Sequence, residues 1–260
     1  MSRERHTHNH LINLLATFSH SGQYYLVFPW ADADLEHYWQ YIKPDPPTSD
    51  PSMEFWLVEQ CQGIVEGLTR VHRYTTLSNS TMLSQIQHPR KGSRGVSSCP
   101  GPLNLIGRHG DIKPKNILWF PDRISKSGYG VLKITDFGIA QFTSENKAQK
   151  REKGLIPNSL TYRSPECDLL DEEVSVQCDV WALGCVYLVF ITWFFGGWRA
   201  VERFSDRRNI ADEFWHGFPT DSFFSVVRDE SGVAKAKVKD AVTQVSKRSL
   251  TFYSARLRKR

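Results

Sequence analysis

The chain has 260 residues, enough for one large domain or two small ones with a substantial core. Its 40% hydrophobic and 23% charged residues are the proportions of a soluble globular protein and set aside a chain too polar to bury a core. The net charge of +5 belongs to one end: from Lys235 to Arg260 nine Lys/Arg face only Asp240, leaving 24 basic and 27 acidic residues elsewhere.

In chain order, His6, His8 and His10 alternate, so on a strand they would share a face and could hold a metal. With no acid or cysteine beside them, an ordinary loop is the simpler reading. Met1 to His10 is polar and has no apolar signal-peptide core. Leu11–Phe18 and Tyr24–Phe28, split by Ser-His-Ser-Gly, predict a strand hairpin. Ala33–Ile42 predicts a short helix, and Pro44–Pro51 a linker. Leu57, Cys61, Ile64/Val65, Leu68 and Val71 have the spacing of one buried face on a helix over Met53–His72. Arg73–Arg108, rich in Ser, Thr, Gly, Pro and Arg, predicts an inserted flexible loop.

The chemistry is concentrated after that loop. His109-Gly110-Asp111-Ile112-Lys113-Pro114-Lys115-Asn116 puts an acid, a cation and an amide on a stretch that Pro114 bars from a continuous helix. Strands are expected at Ile117–Phe120 and Val131–Thr135, with a turn around Ser127–Gly130. Asp136-Phe137-Gly138 then supplies a second acid, twenty residues beyond Asn116. A proton acceptor, a cation for phosphate, and an amide with a carboxylate for Mg²⁺ are the minimum set for phosphoryl transfer. Asp136 to Glu166 reads as a long exposed loop ending in Ser164-Pro165-Glu166. Asp179-Val180-Trp181-Ala182-Leu183-Gly184 opens a helix for which Asp179 is the expected N-cap. Val180–Trp198 has no formal charge and is near the length of a bilayer span. Its bracketing Asp179 and Arg199 and its glycines favour a buried core helix. Phe214–Val227 holds core-like aromatics. The five cysteines (Cys61, Cys99, Cys167, Cys178, Cys185) have no Cys-x-x-Cys spacing and read as reduced intracellular thiols, cytoplasmic or nuclear. The basic end could touch nucleic acid or anionic lipid, but reads first as a solvated tail.

These four motifs resemble the catalytic loop, metal loop, end of the activation segment and central-helix start of the eukaryotic protein kinases, including fungal kinase-like proteins. The resemblance covers roughly residues 10–230. It implies an α+β protein-kinase-like fold: a mostly helical C-terminal lobe over 31–230 with the 73–108 insert, an incomplete N-terminal β lobe over 1–30, and a basic tail over 231–260. It also implies ATP and Mg²⁺ as cofactors and a protein substrate phosphorylated on Ser/Thr. Asp111 would be the catalytic base and Lys113 would screen the γ-phosphate. A lysine two residues after the Asp resembles the serine/threonine class. Asn116 and Asp136 would bind Mg²⁺, and Leu118 would lie beneath adenine. Phe28 would be the gatekeeper, with Pro29 offering its carbonyl and Ala31 its amide to the adenine edge. Phe137 and His109 would stack, and Ser159 would contact Asp111 and Lys113.

Departures from the family pattern matter as well. Gly110 stands where many kinases have an Arg that pairs with a phosphorylated loop, so loop phosphorylation is not the expected switch. His-Gly-Asp-x-x-x-x-Asn is also the signature of small-molecule phosphotransferases such as aminoglycoside and choline kinases. Lys113, Gly138 and Ser164-Pro165-Glu166 speak against that alternative. No Gly-x-Gly-x-x-Gly occurs in the 260 residues and no lysine precedes Lys43, so the phosphate roof and the strand lysine are expected to be missing. An impaired enzyme, or a pseudokinase acting as a truncated binding module, are both compatible with that. No arginine in the tail is assignable as the partner of Glu166.

Overall fold

The computed structural model describes residues 8–76, 103–121, 128–144, 159–169 and 174–257. His6, Cys99, the interior of the 73–108 insert and much of the Asp136–Glu166 loop lie outside the described residues.

The first element is the expected hairpin, β1 (Ala16–His20) with β2 (Gln23–Val27), antiparallel with Ala16 opposite Val27 and His20 opposite Gln23. Its turn, Ser21-Gly22, has positive φ at both residues (49° and 77°), the conformation that follows the twist of the strands. β1 starts later than its apolar run because the residues before it are used elsewhere. Ile12 N–H donates to the Ile134 carbonyl at 2.9 Å, and Ile134 N–H to the His10 carbonyl at 2.8 Å. His8 and His10 lie in a loop, as expected, and the His10 backbone is tied to Ile134. The His10 ring sits in a notch at Gly63, where an added Cβ would lie 2.0 Å from Nε2, and its Nδ1–H donates to the Leu132 carbonyl at 2.8 Å.

The single helix expected over Ala33–Ile42 is three pieces: β3 (Ala33–Asp34), α1 (Leu35–His37) and a π turn (Tyr38–Ile42). Asp34 caps α1 by accepting from His37 N–H, and Lys43 N–H closes the wide turn on the Tyr38 carbonyl, both at 2.8 Å. The wide turn lets consecutive Tyr38 and Trp39 both enter the core.

α2 (Pro51–His72) opens with Pro51 in the first turn and Asp50 accepting from Ser52 N–H at 2.8 Å. Its buried face is Met53, Trp56, Gln60, Ile64, Leu68 and Val71. That corrects the stripe read from the sequence: Leu57 and Cys61 lie on the flank and Val65 is exposed. Two polar hooks set the rotation. Trp56 Nε1–H donates to the Gly130 carbonyl at 2.6 Å, and Gln60 Oε1 accepts from Leu132 N–H at 2.9 Å.

The 73–108 segment is not a loop throughout, since it begins in β4 (Tyr74–Thr76) and ends in β5 (Leu103–Arg108). β6 (Ile117–Phe120) and β7 (Val131–Ile134) pair as expected, Ile117 opposite Ile134, with β3 on the outer edge of β6. The loop after Asp136 contains a further strand, β8 (Gln141–Ser144), which pairs with β5 in the sheet β4-β5-β8.

α3 (Gln177–Arg208) is the longest helix and is broken at Gly197, whose φ is 67°. There Trp198 N–H leaves the helix ladder to donate to the Pro44 carbonyl at 2.7 Å. By length and mean hydropathy (1.8 over its most apolar stretch) α3 could cross a membrane, and 56% of that stretch is buried inside the protein. Phe190 and Trp193 from α3 meet Trp39 and Trp56 at ring separations of 5.3–6.3 Å, forming the aromatic centre of the core. Burying Phe190 alone is worth about 2–3 kcal/mol.

Beyond α3, β9 (Ile210–Ala211) pairs with β10 (Pro219–Thr220), and β11 (Phe224–Arg228) with β12 (Ala234–Val238). Of the aromatics expected inside, Phe223 and Phe224 are buried, whereas Phe214 and Phe218 are exposed. The basic end is not a free tail: after β12, α4 (Asp240–Leu257) packs on α3 and buries Val242. Lys239, at their junction, is buried and donates through Nζ to the Arg208 carbonyl (2.9 Å) and the Thr220 carbonyl (2.6 Å). These bonds compensate an ammonium whose pKa is lowered by desolvation.

Candidate active site

The loop between β5 and β6 carries the acid, the cation and the amide. Pro114–Asn116 forms one 3-10 turn, which folds the loop back so that side chains from 111, 113 and 116 meet. Lys113 Nζ lies 2.7 Å from Asp111 Oδ2. Asn116 Nδ2–H donates to the Asp111 carbonyl (2.8 Å) and to Asp111 Oδ2 (3.0 Å). Two donors thus fix one carboxylate oxygen. Among the described residues Asp111 Oδ1 receives only a long contact, 3.4 Å from Ser159 N–H. The Ser159 contact is made by its backbone.

Asp136 is brought to the same place by strand pairing. Thr135 N–H donates to the Asn116 carbonyl at 2.9 Å, so the residue after it starts beside Asn116. Asp136 is exposed and has φ 62°, a left-handed conformation uncommon for a non-glycine residue and often found where function holds the backbone. Its Oδ1 accepts from Gly138 N–H at 3.3 Å. The Phe137 ring meets His109 at 4.9 Å between centroids. His109 is buried as a neutral imidazole: Nε2–H donates to the Thr135 carbonyl at 2.9 Å and Nδ1 accepts from Asp111 N–H at 3.3 Å. Burial holds its pKa below the usual histidine value.

The residue that organises the loop has a role different from the one the sequence predicts. Asp179 is not the N-cap of α3, a position taken by Val176, but lies inside the first turn. Its side chain is 1% exposed, and it accepts from His109 N–H (2.7 Å) and His72 Nε2–H (2.9 Å) at Oδ2 and from Gly110 N–H (2.8 Å) at Oδ1. One carboxylate thereby ties the end of α2 and the start of the catalytic loop to α3. Gly110 has φ 85°, which only glycine adopts at no cost, so the residue in the usual Arg position suits this backbone. His72 was missed because only the apolar face of α2 was read. Its place in the last turn of α2 was the available signal.

The nucleotide-side residues are placed less tightly. β3 begins two residues after Ala31 and pairs with β6, Asp34 opposite Leu118, which anchors the end of the Phe28–Ala31 stretch at the edge where half-buried Leu118 lies. Pro29 and Ala31 are half-buried and Phe28 is exposed. Glu166 does not find the arginine partner usual for its position: Oε2 is buried without a hydrogen bond among the described residues.

The protein kinase domain family matches residues 107–199, the span holding all four motifs. Cyclin-dependent kinase 11.2 of Caenorhabditis elegans is 33% identical over 125 residues, 47% of this chain and 16% of that protein. The glycogen synthase kinase-3 homolog YGK3 of Saccharomyces cerevisiae is 38% identical over 78 residues, covering 30% and 18%. Cyclin-dependent kinase 7 of Dictyostelium discoideum is 27% identical over 184 residues, covering 69% and 37%. Over residues 107–199 the chain carries a protein kinase domain. Its aligned parts span well under two thirds of the length of these relatives.

A kinase uses ATP with Mg²⁺, and the residues here fit a hard cation. Asn116 donates through its nitrogen and so keeps Oδ1 as an acceptor, while exposed Asp136 keeps Oδ2. No cluster of three or more His, Cys, Asp or Glu suited to a metal occurs among the described residues. Such a site holds Mg²⁺ only with phosphate oxygens completing the shell, as kinase sites do.

Proposed function

We propose that this chain carries the phosphotransfer site of a protein serine/threonine kinase. Asp111 accepts the proton of the substrate hydroxyl at Oδ1, and Lys113 neutralises charge on the transferred phosphoryl group. Asn116 and Asp136 are the Mg²⁺ ligands. Phe28, Pro29, Ala31 and Leu118 line the adenine side. Bound Mg²⁺-ATP supplies the phosphoryl group and the charge that balances it. The observation that carries this reading is the fixing of one Asp111 oxygen by Lys113 and Asn116, which leaves the other for the acceptor.

A protein acceptor rather than a small molecule is supported by Lys113, Gly138 and Ser164-Pro165-Glu166, which the small-molecule phosphotransferase pattern lacks. A cavity of about 690 Å³, lined among others by Glu36, Thr161, Tyr162, Arg203, Asp206 and Asp221, lies on the side where Glu36 pairs with Lys115 at 3.3 Å.

The 260 residues contain no Gly-x-Gly-x-x-Gly and no lysine before Lys43, so transfer by this chain alone is slow. Two measurements test the reading. Millimolar Mg²⁺-ATP should raise the unfolding temperature. Chelating the metal, or combining Asn116→Ala with Asp136→Ala, should remove that shift. Asp111→Asn should keep it and lower phosphate transfer to a protein acceptor by about 10²-fold or more. No shift at millimolar nucleotide rules out a nucleotide site. A shift without phosphate transfer leaves a nucleotide-binding module, and transfer unaffected by Asp111→Asn removes Asp111 as the base.

A further inference from the structure

Cys167 and Cys178 form, with Val174, a small buried cluster separate from the main core. Cys167 ends the 3-10 turn Pro165–Cys167, and Cys178 is the second residue of α3. Their side chains are hydrogen-bonded to each other, and Ser164 Oγ lies 3.6 Å from the Cys167 sulfur. Ten residues separate them in sequence, and Cys178 directly precedes Asp179.

We propose that Cys167 and Cys178 are a redox pair, which a small-molecule disulfide such as glutathione disulfide converts to an intrachain bridge between the end of the activation segment and the first turn of α3. The inference stands apart from the phosphotransfer reading, because it needs only the two sulfurs in contact. Both donors around Cys167, the Ser164 hydroxyl and the Cys178 thiol, can turn toward its sulfur and stabilise a thiolate there. The Cys178 pKa is raised, first by this hydrogen bond and then by burial, with Ser164 opposing. The Ser164 hydroxyl, 3.6 Å from the Cys167 sulfur, assigns Cys167 as the attacking sulfur and Cys178 as the resolving one.

In the first step the Cys167 thiolate attacks one sulfur of the small disulfide and expels a glutathione thiolate, leaving a mixed disulfide. In the second, Cys178 gives up its proton and attacks the Cys167 sulfur, expelling the second glutathione thiolate. Two protein thiols are oxidised to one disulfide, and one glutathione disulfide is reduced to two thiols. Cys185, buried farther along α3, has a thiol pushed up to about 12 by burial and serves as an internal control.

The whole chain, incubated with glutathione disulfide and then alkylated, is cleaved after glutamate and aspartate. Glu166 and Glu173 flank and separate the two cysteines, and Asp179 separates Cys178 from Cys185. The peptide starting at Cys167 and the peptide holding Cys178 should remain joined, lighter by two hydrogen atoms than their sum, and separate on reduction. Cys185→Ala should leave the bridge intact, and Cys178→Ala should leave Cys167 carrying glutathione. Recovery of Cys167 and Cys178 as alkylated thiols after prolonged oxidation, or a bridge from either to Cys185, would overturn the proposal. The wild-type map alone decides between these outcomes, so a variant that fails to fold does not obscure them.

Discussion

Asp179 carries more of the site than any residue that would touch a substrate. Its buried carboxylate receives three donors. Asp179→Ala leaves two backbone N–H groups and an imidazole without their acceptor, and should cost about 3–5 kcal/mol in chemical denaturation. A loss below about 1 kcal/mol would mean the grip contributes little. His10 offers a separate test. Burial lowers its pKa first of all, with like charge from His8 and Lys133 also lowering it and the Leu132 hydrogen bond and Glu66 opposing. A lowered histidine contributes stability that is present above its unfolded value of about 6.5 and lost as pH falls through the lowered folded value. The imidazole should titrate by NMR below 6.5, with the residue 10–12 segment loosening from Ile134 over the same range. A midpoint at or above 6.5 would contradict the docking at Gly63.

At the scale of elements, the kink in α3 is built by close contact. A Cβ on Gly197 would lie 2.7 Å from the Pro44 carbonyl and 2.8 Å from Asp45 Oδ1, and the residue sits at positive φ. Gly197→Ala should therefore destabilise the protein by about 1–3 kcal/mol, whereas Gly184→Ala, with open space around it and a helical backbone, should not destabilise it. Paired thermal melts compare them directly. The sequence signalled a glycine interruption here but not its partner, because Pro44 is remote in the chain. The α2 face shows a related limit. Apolar spacing located the helix, yet Trp56 and Gln60 turned it through hydrogen bonds to residues more than seventy positions away. β4, β5 and β8 were hidden for a different reason: their edges pair across a long segment whose composition reads as loop.

Across the whole molecule, the catalytic motifs were the most legible part, since their chemistry is local and Asp111, Lys113 and Asn116 meet within one loop. The fold of the basic end was the least legible. Counting charges could not show that Lys239 would be buried by carbonyls of Arg208 and Thr220. The hairpin remains apolar and exposed, with Phe18, Tyr24 and Leu26 more than half exposed and Trp30 at 91%. Such a surface predicts self-association. Phe18→Lys with Leu26→Lys should reduce light scattering at high protein concentration with little change in unfolding temperature. Unchanged scattering would place the sticky surface elsewhere.

Because the amides of His109 and Gly110 are both held by Asp179, they should rank among the last in the molecule to trade their protons for deuterium. The catalytic loop would then keep its shape through fluctuations that open the hairpin many times over.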